Sequence, residues 1–148
     1  FALNGALTIG TLDGANIEIK DHVGDDNIFI FGLTATEVAA KRADGYKPRE
    51  LIESSIELRQ AIEAIASGVF SPDDPHRYSD LMNGIYDHDW FMVAADFESY
   101  CAAQRSVDIC WEDQARWRRS AIHNIANVGW FSSDRTISEY AKDIWGVL

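Results

Sequence analysis

Positive charge is what this chain has least of. Lys and Arg total 13 against 24 Asp and Glu, giving a net charge of −11. A nucleic-acid binder needs a basic face to displace counterions, and these basic residues are scattered. The densest group, Arg116, Arg118 and Arg119, stands beside Glu112 and Asp113 and reads as a solvated helix face. The acidity serves solubility. Cysteine is equally scarce. Cys101 and Cys110 fall within one predicted helix, roughly 13 Å apart and on opposite sides. A disulfide requires Cα atoms within about 7 Å, so two free thiols and a reducing compartment are expected. Neither cysteine has a metal-ligand spacing. Long apolar runs are missing too: none approaches the roughly 20 residues that span a bilayer. The start has no basic segment, and Asn4 and Gly5 interrupt its apolar stretch, which excludes a signal peptide. The expectation is a cytoplasmic protein with no membrane and no nucleic-acid partner. The first residue is Phe1 rather than Met, which suggests a start inside a longer chain.

What is present is a globular composition. Hydrophobic residues make up 47% and include five Trp, five Tyr and seven Phe, enough buried area to exclude disorder. Two short apolar segments, Ala6–Leu12 and Asn27–Gly32, suit strands of a parallel sheet covered on both faces. Between them a helix is predicted from Asp13, as N-cap, to about Val23, with Gly24 as its stop. Helices dominate afterwards. Thr34 and Glu37 form a capping box for a helix ending near Gly45. Pro48 opens the next, which carries Leu58, Ile62, Ile65 and Val69 on one face and ends at Gly68. Ser71–Pro75 is a turn into a helix with Tyr78, Leu81, Met82 and Ile85 on one side. Phe91–Ala94 reads as a short apolar connection. Helices then follow from about Asp96 to Trp111 (Phe97, Tyr100 and Cys101 inward) and from Glu112 to Val128 (Trp117, Ala121 and Ile125 inward). Gly129 stops the latter. The last begins at Ser132 or Ser133, with a stripe of Ile137, Tyr140, Ala141 and Ile144. Two buried-type strands cannot make a doubly covered sheet alone, and their edges need partners. The pattern predicts the end of a larger α/β domain.

No catalytic group emerges from spacing. Gly5 and Gly10 have the separation of a phosphate loop, but Thr11-Leu12 stand where Lys followed by Ser or Thr is required. No Gly-x-Gly-x-x-Gly occurs. The acidic run Asp21–Asp26 resembles a calcium loop in charge alone, since Gly32 sits at the twelfth position where a glutamate belongs. Asp87-His88-Asp89 reads as a helix-end loop, because His88 has no His or Cys partner at ligand spacing. His22, His76 and His123 are similarly isolated, and no Ser/His/Asp arrangement is legible.

Two long segments carry a resemblance. Phe1-Ala2-Leu3-Asn4-Gly5-Ala6-Leu7-Thr8-Ile9-Gly10-Thr11-Leu12-Asp13-Gly14-Ala15-Asn16-Ile17-Glu18 resembles the stretch after the cofactor lysine of α-glucan phosphorylases. Phe131-Ser132-Ser133-Asp134-Arg135-Thr136-Ile137-Ser138-Glu139-Tyr140-Ala141-Lys142-Asp143-Ile144-Trp145 is similar to that family's C-terminal signature. Asn27–Gly32, Gly45-Tyr46, Gly68–Pro72 and Asp96–Tyr100 fit in order between them. The resemblance implies two Rossmann-like domains facing a cleft, the GT-B architecture. Residues 1–148 would be the incomplete C-terminal part of the second, cofactor-bearing domain. It implies reversible phosphorolysis of a terminal α-1,4-linked glucose, with pyridoxal 5′-phosphate on a lysine. It also implies an α-1,4-glucan and phosphate as substrates and a homodimeric parent enzyme under allosteric control. The lysine would lie just before Phe1, and Lys20, Lys41, Lys47 and Lys142 do not occupy its position. No catalytic, cofactor-binding or metal-binding residue is therefore carried over, and the chain alone is expected to be inactive and to bind no cofactor. Phe1–Asn4 are expected to continue the lysine-bearing helix, with Asn4, Asp13 and Asn16 supporting it by hydrogen bonds to backbone or serving as caps and turns only. A retaining glycosyltransferase of the glycogen synthase kind would share the architecture but lacks the Asn4–Thr11 run. A non-catalytic helical interaction module would instead fold alone, monomeric, without exposed apolar surface.

Overall fold

The computed structural model describes residues 1–147. Along the chain run β1 (Ile9–Thr11), α1 (Ala15–Val23), β2 (Phe29–Phe31), α2 (Ala35–Ala43), α3 (Pro48–Ser54), α4 (Ile56–Ala66), α5 (Ser79–Asp87), α6 (Val93–Glu112), α7 (Gln114–Asn127) and α8 (Ser133–Asp143). β1 and β2 pair as a two-stranded parallel sheet. The Phe29 N–H donates to the Thr8 carbonyl at 2.9 Å. The fold is thus mostly helical with a β-α-β start. Each strand is three residues long, shorter than its apolar segment, because a ladder extends only where both chains find partners.

By its contacts the chain forms two compact units, one running from Phe31 to Ala102, the other joining Phe1–Ile30 to the residues from Ala103 onward. The 31–102 unit begins with the predicted capping box. The Thr34 N–H donates to the Glu37 carboxylate at 2.8 Å, while the Glu37 N–H donates to the Thr34 hydroxyl at 3.3 Å. The Thr34 N–H, and then the Thr34 hydroxyl donating to the same carboxylate at 2.7 Å, hold the Glu37 carboxyl below its ordinary pKa. The single helix expected after Pro48 is two. Ser55 leaves helical geometry and caps α4, accepting the Leu58 N–H at 3.4 Å and donating to Glu98 at 2.8 Å. α4 ends at Ala66, so Val69 falls beyond it and is exposed. The core is Ile52, Leu58, Ile62, Met82 and Ala94, with Leu51, Ile65, Ile85, Tyr86 and Phe97 against it. On α5 the inward position is Met82, and its neighbour Leu81 faces solvent. Tyr100 also remains exposed, its ring edge-on to Phe31 at 5.2 Å.

The expected apolar connection Phe91–Ala94 is shorter: Phe91 and Met92 precede α6, and Val93 and Ala94 are its first residues. The cause is Asp89, 2% exposed. Its carboxylate accepts the N–H of Val93 at 2.7 Å and of Ala94 at 2.8 Å. Two otherwise orphaned helix donors are satisfied by a negative group at the positive end of the helix. The same carboxylate accepts the Tyr46 hydroxyl at 2.6 Å. Burial, then that bond, pushes the Tyr46 phenol above its ordinary pKa. One turn further on, Asp96 accepts the Leu33 N–H at 2.9 Å. Burial raises the Asp96 carboxyl, the Leu33 bond opposes this, and the Asp89 charge adds to it. The preceding residue must be glycine: Gly32 has φ 80°, and a Cβ there would lie 2.6 Å from an Asp96 carboxylate oxygen.

In the other unit Gly24 ends α1 as predicted, but the cap at its start is Gly14. The Asp13 carboxylate instead accepts the Thr11 hydroxyl at 3.2 Å. Ala2–Asn4 form a 3-10 turn rather than a continuing helix, because the backbone reverses at Gly5 in left-handed geometry. Asp113 caps α7, accepting the Arg116 N–H at 3.0 Å. The buried face of α7 carries Ser120 and Asn124, while Ile125 is exposed. Asn124 turns inward because its side chain bonds the Asn27 carbonyl at 3.0 Å. Ser132 caps α8. Of the stripe expected there only Ala141 is buried, and Ile137, Tyr140 and Ile144 face solvent.

Two outcomes follow for stability. Asp89→Ala removes a helix cap and strands the Tyr46 hydroxyl, so chemical denaturation should show a loss of about 2–4 kcal/mol. Asp96 titrates with a raised folded-state pKa. Its contribution is complete below the unfolded value, near 3.9, and is lost as pH rises through the folded value. Asp96→Asn keeps an acceptor for Leu33 without the charge. Its Tm should rise relative to the parent as pH increases above the unfolded value; a constant Tm difference would refute the assignment.

Candidate functional site

The β1–α1 turn is the most tightly specified piece of backbone in the Phe1–Ile30 segment. The Asn16 amide donates to the Thr11 carbonyl at 2.9 Å, tying the first turn of α1 to the end of β1. It reaches that carbonyl by passing over Gly10, where an added Cβ would lie 2.5 Å from the Asn16 amide nitrogen. Asp13 braces the same turn through Thr11. Asn16 and Asp13 therefore act on local backbone, and Asn4 is exposed on the 3-10 turn.

Behind this turn lies a narrow apolar cleft lined by Ala2, Ile19, His22, Val23, Asn124, Asn127, Val128 and Phe131. Asn124, 1% exposed, sits at its back. Its amide nitrogen donates to the Asn27 carbonyl at 3.0 Å and the Ser120 carbonyl at 2.9 Å. Both carbonyls demand a donor, which fixes the amide orientation and leaves the buried Asn124 Oδ1 without a partner. At the mouth, the His22 ring stacks obliquely on Trp130 at 4.5 Å. The Arg135 guanidinium lies 3.7 Å from the centre of the Trp130 ring and donates to the Trp130 carbonyl at 2.7 Å. Glu139 pairs with Arg135. This arrangement positions backbone and packs rings; it contains no nucleophile with a base at hydrogen-bond distance.

The other candidates of the sequence disperse. Among the described residues no three His, Cys, Asp or Glu side chains form a metal-binding group. In the Asp21–Asp26 run, Asp25 pairs with Lys20 at 3.3 Å. In Asp87-His88-Asp89, Asp87 pairs with Arg49 at 2.5 Å, His88 lies 6.2 Å from the Trp90 ring, and Asp89 points inward as a helix cap. His76 and His123 are exposed. Cys101 is half-buried and Cys110 buried, both free. Arg116 and Arg119 line an open cleft with Asn27, Ser120 and His123, and Asp26 faces them across it. Among the described residues no helix is long and apolar enough to cross a membrane.

Sequence reasoning missed Asn124, Asp89 and Asp96. Asp89 had a usable signal: an acid four residues ahead of Val93 is within reach of a helix start. Asn124 had none, since an amide amid Ile122 and Ile125 reads as a surface residue until the Asn27 carbonyl is known to face it.

Comparison with known proteins places the chain. Residues 1–147 match the family described as carbohydrate phosphorylase. The chain is 51% identical over 147 residues to the glycogen phosphorylase of Haemophilus influenzae, covering 99% of this chain and 18% of that protein. It is 50% identical over 147 residues to the brain form of glycogen phosphorylase from Mus musculus, covering 99% of this chain and 17% of that protein. The chain spans less than a fifth of the length of these relatives.

The Gly10–Asn16 contact gives a specific double-mutant expectation. Gly10→Ala should destabilise by about 1–3 kcal/mol through overpacking. In the Asn16→Ala background the same change should cost far less, as thermal melts of the four proteins would show.

Proposed function

We propose, from the premise that this chain belongs to the carbohydrate phosphorylase family, that it is the C-terminal segment of an α-glucan phosphorylase. That enzyme transfers a terminal α-1,4-linked glucose from a glucan to inorganic phosphate and releases glucose 1-phosphate. The observation that carries the reading is the identity of about half the residues, spread over nearly the whole chain, to proteins named glycogen phosphorylase. The apolar side chains facing solvent on α8 and just after it, Ile137, Tyr140 and Ile144, support it as well, because a self-sufficient module would bury them.

In this reading the chain completes the second Rossmann-like domain of a GT-B enzyme, which is cytoplasmic, homodimeric and subject to allosteric control. Its cofactor would be pyridoxal phosphate, held by a lysine immediately upstream of Phe1, and would supply acid–base chemistry through its phosphate group. The residues of this chain do not fit that group themselves. None of the four lysines is buried: Lys20 pairs with Asp25, Lys47 with Glu50, Lys41 lies over the Tyr46 ring, and Lys142 is exposed on α8. No step is assigned to them. The role of the chain is support. Gly10, Asp13 and Asn16 fix the turn that follows the cofactor lysine, and Asn124 holds the Asp25–Asn27 turn against α7.

The test is phosphorolysis. The full-length product of the gene encoding this segment should release glucose 1-phosphate from glycogen or a maltooligosaccharide in the presence of phosphate. The 148-residue chain, even with added pyridoxal phosphate, should release none. A full-length product that leaves glucan and phosphate untouched sinks the proposal.

A further inference from the structure

The chain enters the 31–102 unit at Phe31 and leaves it at Ala102, and these two ends are bonded to each other. The Gly32 N–H donates to the Ser99 hydroxyl at 3.0 Å, across 67 residues of sequence. The Leu33 N–H donates to the Asp96 carboxylate at 2.9 Å, across 63 residues. The Phe31 ring stands edge-on to Tyr100 at 5.2 Å. Three successive residues of the incoming chain are thus held by Asp96, Ser99 and Tyr100, which share one face of α6. Gly32 permits the close approach, since a side chain there would strike the Asp96 carboxylate.

Inside this clasp the bonds run from element to element. Tyr46, beyond the end of α2, donates to Asp89 at 2.6 Å. Arg42 of α2 donates to the Trp90 carbonyl at 2.6 Å and lies 5.4 Å from the centre of its ring. Arg49 of α3 donates to Asp87 of α5 at 2.5 Å, and Ser55, at the break before α4, donates to Glu98 of α6 at 2.8 Å. The core of Ile52, Leu58, Ile62, Met82 and Ala94 lies wholly within the same stretch. Asp89 has φ 40° and Met92 φ 57°, with exposed Trp90 and Phe91 between them. Non-glycine residues keep such left-handed backbone only while the bonds around them stand. Closing the ends also shortens every loop inside the unit, so parting them weakens each inner contact. Losing the clasp therefore loosens all of these elements together.

We propose that residues 31–102 open and close as one cooperative body within the folded protein, and that the bonds of Gly32 and Leu33 to Ser99 and Asp96 are the lock on that movement. The strength of the lock sets how often α3, α4 and α5 are released together, while β1, α1 and α7 keep their own bonds. The movement requires no ligand and no catalysis.

The test is native-state hydrogen exchange of the full-length product of the gene, read by mass spectrometry of its peptides. In the parent protein, peptides from α3, α4 and α5 should share one opening constant. Ser99→Ala removes the acceptor of Gly32 and should speed exchange in all three helices by about fivefold. Gly32→Ala, which forces a side chain against Asp96, should speed it by more than about tenfold. Peptides from β1, α1 and α7 should be unchanged in both variants. Ser99→Thr keeps the hydroxyl and should exchange at the parental rate. Faster exchange confined to Gly32, Leu33 and the first turn of α6 makes the clasp a local bond and overturns the lock. An equal rise in β1, α1 and α7 shows that the unit does not open by itself, and overturns the proposal as well. Should Gly32→Ala fail to fold, Ser99→Ala decides by the same comparison.

Discussion

The carboxylate of Asp89 is the constraint on which the 31–102 unit depends. A buried charge is tolerated only when its lone pairs are occupied, and here two backbone N–H groups and one phenol occupy them. Those three bonds join the start of α6 to the Tyr46 segment between α2 and α3. They also fix the point at which the longest helix of the chain begins. Asp96, one turn later, repeats the device toward Leu33. Two acids, one ahead of α6 and one in its first turn, thus tie neighbouring segments to the start of that helix. Their proximity has a cost, since the Asp89 charge adds to the burial that raises the Asp96 carboxyl.

The same bond network explains why the backbone at Asp89 and Met92 can remain in left-handed geometry. Strain persists where the surroundings over-determine it. Here a helix end, a phenol and an arginine all act on a turn of four residues, and the exposed rings are a consequence of where that turn points.

Local chemistry made much of the fold legible in advance. The Thr34–Glu37 capping box, the stop at Gly24 and the Ser132 cap are written in short sequence patterns, because each satisfies its own neighbours. The failures share a cause. The break at Ser55 exists because its hydroxyl reaches Glu98, 43 residues away, and the inward turn of Asn124 exists because of Asn27, 97 residues away. A periodicity argument assigns apolar side chains to the inside, and it therefore chose Ile125 over Asn124. Asn16 was visible as a polar residue behind the first strand, but its target, the carbonyl of Thr11, required the turn geometry. The family could be read from two long motifs, whereas its chemistry could not, since no residue here performs it.

The way the units divide the chain sets an order on its folding. The 31–102 unit is one continuous stretch, and its contacts, including Tyr46 to Asp89, close over modest loops. The other unit must join the first thirty residues to those beyond Ala103. Its Asn124–Asn27 bond cannot form until α7 has been synthesised. During translation the continuous unit is complete first, while the contact of the Asn27 segment with α7 waits for the last helices. The closing of this unit is thus timed by connectivity rather than by the strength of its bonds.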